Sequence, residues 1–148
     1  MSEIEGVHVE RLKLVRNERG HLLEVCGEID PDAPRFAQVY VTFTRGGIVK
    51  AWYRHHHQID QIALLSGRLE LVLYDDRADS AAGGSLLRLE LDESEPKIVR
   101  IPALVWHGFR AVGPAGTNLI HVNSEPYRED HLDEDRIAPD DPAIPYSW

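Results

Sequence analysis

The feature that most limits how this chain can fold is a period of two in its apolar residues. The stretch FAQVYVTFT (36–44) alternates and is rich in β-branched and aromatic residues, and LELVLYD (69–75), LLRLELD (86–92), KIVRI (97–101) and NLIHVN (118–123) behave likewise. Alternation of this kind lays one row of side chains on each face of a strand, which suits a half-buried sheet. The breaks carry turn chemistry, at Arg45-Gly46-Gly47, Ser66-Gly67, Ala82-Gly83-Gly84 and Gly113-Pro114-Ala115-Gly116. No window shows a long helical stripe, so helices are expected to be few and short. Many short strands at regular spacing predict an all-β sandwich or barrel.

At 148 residues the chain fits one domain, 1–148, long enough to bury a core without disulfides. A net charge of −9 argues against nucleic acid or an anionic membrane as a partner, although a few local Arg and Lys residues could still hold a phosphate. Cys26 is the only cysteine, which excludes an internal disulfide and a Cys-based zinc site. No run approaches the roughly 18 apolar residues of a membrane span. The start, MSEIEGVHVERLK, is too polar for a signal peptide, so a cytoplasmic location is expected. Residues 124–148 differ from the rest, being acidic with four prolines and ending in IPYSW. Aromatics beside prolines point to a docked C-terminal strap rather than a free tail.

The chemistry concentrates in GGIVKAWYRHHHQIDQIALLSG (46–67). Read as a hairpin, it places Tyr53 and His55 at i and i+2 on one face, with Asp60 opening the next strand. His56 and His57 read as solvated hairpin residues. His107, beside Trp106 and Phe109, is either a cavity residue or a satisfied core histidine. Asp133, Glu134 and Asp135 read as a solvated acidic run, and Lys50 as either a site residue or half of a surface ion pair.

The spacing in this stretch is Gly47, five residues, Tyr53, one residue, His55, four residues, Asp60, six residues, Gly67. Further on, Pro102 and four residues precede His107. Both patterns resemble the two motifs of the cupin superfamily, with Tyr53, Asp60, Leu104 and Ala111 where those motifs carry His, Glu, Gly and Asn. A closer resemblance covers most of the chain. RGHLLEV (19–25), FAQVYVT (36–42), VKAW (49–52), LVLYDDR (71–77), IPALVWHGF (101–109) and DEDRIAPDDPAIPYSW (133–148) are similar, in that order, to segments of the dTDP-4-dehydrorhamnose 3,5-epimerases. The resemblance implies a homodimeric cupin-type double-stranded β-helix, or jelly roll, that binds a nucleotide-linked 4-keto-6-deoxy sugar and uses no cofactor.

Epimerisation beside a ketone removes an α-proton and returns one to the opposite face. It needs a base, a group that steadies the enolate oxygen, and an acid across the ring. Carried over by resemblance, the family's Arg becomes Lys50, its base His becomes Tyr53, and its Asp is Asp141. Its Lys falls at or beside Asp60, and its acid Tyr near His121. A phenol is protonated at neutral pH and is a poor base. His55, oriented by Asp60 or Asp141, is therefore the expected base. The catalytic set is then His55, Tyr53, Asp141 and His121, with substrate held by Lys50, Asp60, His107, Glu24, Gln38 and Tyr127. The altered positions favour a single epimerisation or a keto-isomerisation. Two alternatives stay open. One is a metal-dependent enzyme with a divalent transition metal on His55, Asp60 and His107, completed by Tyr53 or His57. The other is a sugar-nucleotide-binding protein without catalysis.

Overall fold

The computed structural model describes residues 4–26, 35–81 and 83–148. Ala82, in one expected turn, lies outside the described residues. Twelve strands follow one another: β1 (His8–Arg11), β2 (Lys13–Asn17), β3 (Gly20–Glu24), β4 (Gln38–Thr44), β5 (Val49–His55), β6 (Asp60–Ser66), β7 (Arg68–Asp75), β8 (Ser85–Asp92), β9 (Lys97–Ile101), β10 (Trp106–Val112), β11 (Thr117–Asn123) and β12 (Glu134–Arg136). They form an antiparallel sheet in the order β1-β9-β6-β11-β4, a second in the order β12-β5-β10-β7-β8, and a separate pair β2-β3. The described residues contain no helix, so the few short ones expected are absent there. No helix among them is long and apolar enough to cross a membrane.

The five strands read from alternation all form, within two residues of their expected ends. Inward rows of these strands, with β6 and β10, build the main core between the sheets, from Ile62, Leu64, Leu69, Leu71, Leu73, Val99, Phe109 and Leu119, among others. A second core lies on the outer face of the second sheet, where Trp52, Val72 and Trp106 meet Ile144, Tyr146 and Trp148 of the closing segment. Trp52 is fully buried, and its Nε1 donates to the Pro139 carbonyl at 3.2 Å. The Tyr146 hydroxyl donates to the buried Glu70 at 2.8 Å, which carries the strap across the sheet. Gly108 permits this approach, because a Cβ there would collide with Ala51 and sit 2.9 Å from the Trp148 ring.

One expectation is corrected. The segment 46–67 is not a hairpin, because β5 belongs to the second sheet and β6 to the first. The chain crosses between sheets at residues 56–59, held by the Asp133 carboxylate, which accepts from the backbone N–H of His56, His57 and Gln58. Asp133 is thus no solvated bystander, nor is Asp135, whose Oδ2 takes Arg54 Nη2 at 2.7 Å. The crossing has a functional consequence: His55 and Asp60 face each other across the barrel interior instead of lying side by side.

Leu104, standing where the cupin motif has glycine, keeps a left-handed backbone with φ of 68°. That conformation costs a residue with a Cβ about 1–2 kcal/mol. Its N–H donates to the His55 carbonyl at 2.7 Å, so the turn also pins the end of β5.

Candidate functional site

Between the sheets opens a cavity of about 270 Å³. The second sheet supplies Lys50, Tyr53 and His55 from β5 and His107 and Phe109 from β10; the first supplies Asp60 and Ile62 from β6, Tyr40 and Thr42 from β4, and His121 from β11. Glu134 and Arg136 of β12 close one side. Tyr53 and His55 reach the cavity by the i, i+2 rule. Lys50 breaks that rule, being three residues from Tyr53. The register explains it: Tyr53 pairs with His107 and Lys50 with Phe109, so β5 spends one extra residue against β10. Such a bulge re-aims one side chain.

At the centre, Asp60 receives two imidazoles on one oxygen. His55 Nε2 lies 3.2 Å and His107 Nε2 3.1 Å from Asp60 Oδ2. Gln58 Nε2 donates to the other oxygen, Oδ1, at 2.6 Å. Each ring is anchored from behind, His55 Nδ1 on the Asp133 carbonyl at 3.0 Å and His107 Nδ1 on the Val105 carbonyl at 3.1 Å. Burial works against the Asp60 carboxylate, but its hydrogen bonds with His107 and His55 outweigh that and hold its pKa well below the usual carboxylate range. Burial likewise lowers the His55 pKa, and the hydrogen bond and charge of Asp60 reverse the sign to a net rise. His55, Asp60 and His107 bring two nitrogens and an oxygen within 4.8 Å of one another, the set among the described residues able to hold a metal ion.

His121 is on the first sheet with Asp60, opposite His55 and His107, and stays outside their hydrogen-bonded cluster. Its ring stacks on Tyr40 at 4.4 Å, and its Nε2 meets Thr42 Oγ1 at 2.9 Å. Burial pushes its pKa from 6.5 down to about 4 against the opposing pull of Asp60, so the ring is neutral at pH 7. Two histidine environments therefore coexist in one cavity, one tied to a carboxylate and one not.

Tyr53, His55, Asp60, His107, His121 and Lys50 thus converge. Gln38 and Tyr127 line an adjoining hollow that shares Tyr40, His55, Glu134 and Arg136 with the cavity. Two expected residues are not brought in. Asp141 lies in the strap, where its Oδ1 caps the Ala143 N–H at 2.9 Å, and it cannot orient His55 from there. Glu24 sits exposed at the end of β3 in the separate hairpin. His57 holds its place through its backbone N–H on Asp133, and its side chain is not among the cavity lining. Tyr40 and Thr42 were legible from the i, i+2, i+4 spacing that starts at Gln38. Glu134 and Arg136 share a face of β12 by the same spacing, but the acidic composition around them hides the strand. Nothing in the sequence singles out Gln58.

A family model described as dTDP-4-dehydrorhamnose 3,5-epimerase matches residues 1–148. The chain is 38% identical to the probable low-salt glycan biosynthesis epimerase Agl13 of Haloferax volcanii, over all of this chain and 96% of that protein. It is 31% identical to the spore coat polysaccharide biosynthesis protein SpsL of Bacillus subtilis, over 98% of this chain and 96% of the other. Among solved structures it superposes on a dTDP sugar isomerase from Desulfovibrio desulfuricans G20 with a TM-score of 0.93 and 30% identity, covering 99% of this chain and 92% of that one. With the barrel, the cavity and a match over its whole length, the chain belongs to the dTDP-4-dehydrorhamnose 3,5-epimerase family.

Proposed function

We propose that the protein epimerises or isomerises a nucleotide-linked 4-keto-6-deoxy sugar by removing a proton α to the ketone, in the biosynthesis of a deoxysugar or polysaccharide. The observation that carries this reading is the facing of two proton-handling groups across one cavity. His121 projects from the first sheet as a neutral imidazole, and Tyr53 from the second as a phenol. A base on one wall and an acid on the other is what inversion at an α-carbon requires. His55, expected from sequence to be the base, has both ring nitrogens engaged, so that role passes to His121. An enolate oxygen on the side of His55 and His107 would be repelled by the Asp60 carboxylate, so the positive charge it needs there would have to come from a cation. Lys50, Arg136 and, in the adjoining hollow, Arg128 are the cations available to a diphosphate, and Tyr127 offers a ring for a base to stack on. The reaction is redox-neutral and needs no electron-carrying cofactor.

The acting species is proposed to be a homodimer. Strand β4 is an edge of its sheet, and its outward row is apolar, with Val39 49%, Val41 54% and Phe43 56% exposed. An edge of that kind invites pairing unless it is covered. The β2-β3 hairpin likewise exposes Val15 and Leu22, and a lone two-stranded sheet needs packing to persist. A second copy would cover both. Light scattering should return twice the chain mass; a monomer would end this part of the reading.

The function is tested by incubating the protein with a panel of nucleotide-linked 4-keto-6-deoxy sugars and following products by NMR. Conversion of at least one to a single new stereoisomer or keto-isomer is expected. Binding without any conversion would leave a sugar-nucleotide-binding protein instead.

A further inference from the structure

We propose that His55, Asp60 and His107 form a binding site for one divalent transition-metal ion, open toward the cavity. The way the three side chains are held is that of metal ligands.

Metal-bound histidines characteristically use one ring nitrogen for the ion and donate the other N–H to a backbone carbonyl or carboxylate. Both histidines have this arrangement, with Nδ1 on the carbonyls of Asp133 and Val105 and Nε2 directed inward. Asp60 is held the same way, since Gln58 occupies Oδ1 and leaves Oδ2 to face both rings. The three donors come from β5, β6 and β10, so the rigid sheets and not a loop fix their positions.

The distances fit. Zinc binds His nitrogen at about 2.0–2.1 Å and carboxylate oxygen at about 2.0–2.2 Å, so ligands about 90–110° apart lie about 2.9–3.4 Å from each other. The two Nε2–Oδ2 separations are 3.2 and 3.1 Å.

The two rings lie with centroids 5.7 Å apart and both turn Nε2 toward one carboxylate oxygen, with Gln58 Nε2 also 3.4 Å from His55 Nε2. A cation among the three donors would be met by all of them at once. Two imidazoles and one carboxylate suit zinc, iron, cobalt, nickel or manganese rather than magnesium or calcium. Three protein ligands leave positions for water or substrate, the mark of a catalytic rather than a structural centre. When bound, the ion would supply positive charge where the enolate oxygen develops, at the position of the family's lysine. That use rests on the epimerase reading, whereas the site itself does not.

The test uses the full chain without a histidine tag, stripped with chelator and titrated with zinc by calorimetry and with cobalt by visible absorption. One equivalent of either ion per chain is expected, each displacing the other, with cobalt bands of a nitrogen/oxygen site. Loss of an outer contact to a ligand commonly weakens metal binding about 10–100-fold. Gln58→Leu should fall in that range, and His55→Ala and His107→Ala at or beyond about 100-fold. His57→Ala should bind as the parent does. Circular dichroism of the stripped variants separates lost ligands from lost fold, and His107→Gln replaces His107→Ala if that variant unfolds. Absence of saturable binding in the parent overturns the proposal, and so does binding that survives in both His55→Ala and His107→Ala. Because these readouts need no sugar, they stand or fall separately from the conversion assay.

Discussion

His121→Phe is expected to lower turnover about 10²–10⁴-fold while leaving the protein folded, the range that a positioned general base contributes. Phenylalanine keeps a flat ring for the stack on Tyr40, which lies only 11° from parallel, and removes the nitrogens alone. The lost contact with Thr42 Oγ1 costs about 1 kcal/mol of stability, too little to unfold a domain of this size. The sign of the pH dependence follows from the same geometry. A base works while neutral, and burial moves His121 from 6.5 to about 4. The acid limb of the rate assigned to this ring should therefore fall near pH 4 and not near 6.5 in the free enzyme. Steady-state kinetics from about pH 4 to about pH 8 check both points. A variant within about threefold of the parent would remove His121 from the chemistry.

Trp52→Ala should cost about 3–5 kcal/mol, the range for truncating a buried aromatic, and lower the midpoint of thermal unfolding by about 10–15 °C. Trp52 is fully buried and sits in the middle of the strap's attachment. Its backbone exchanges hydrogen bonds with Ile137 at 3.0 and 3.2 Å, its indole donates to Pro139, and its ring contacts Tyr146 and Trp148. Losing the ring removes the surface on which residues 137–148 are seated. Differential scanning calorimetry gives the stability change. Hydrogen exchange should show the strap amides losing protection beyond the rest of the barrel; uniform loss would mean that the strap is not separately anchored there.

The barrel was legible because period two is local: alternation in 69–75, 86–92 and 118–123 states which face is buried without reference to any partner. Strand pairing is not local, and that is where the hairpin expected over 46–67 gives way. A hairpin and a crossing between sheets have the same sequence spacing. They differ in what holds the turn, and that holder, Asp133, lies more than 70 residues away. The same distance hid the roles of the histidines. Adjacent residues in the chain, His55, His56 and His57, look alike in sequence. Only the fold sends the first to Asp60 and turns the other two toward solvent-facing partners. Lys50 was legible by resemblance and not by alternation, since the β5 bulge that delivers it leaves no compositional mark. Asp141 went the other way. The Asp-Pro and the terminal Trp mark the strap correctly, but the strap seats its aromatics on the outer face of the sheet and keeps that carboxylate away from the cavity.

Proton abstraction beside a ketone is the central claim, and solvent exchange measures it whatever the product turns out to be. Nucleotide-linked 4-keto-6-deoxy sugars incubated with the protein in deuterated water should take up deuterium at C3 or C5. Uptake at one carbon is expected, because Tyr53 and Asp60 replace the base and the lysine that serve two successive inversions in the family. Proton NMR reads the loss of the corresponding signal, and the rate should scale with protein concentration. Sugars that bind, as judged by thermal shift, yet retain every carbon-bound proton after many hours would contradict the claim.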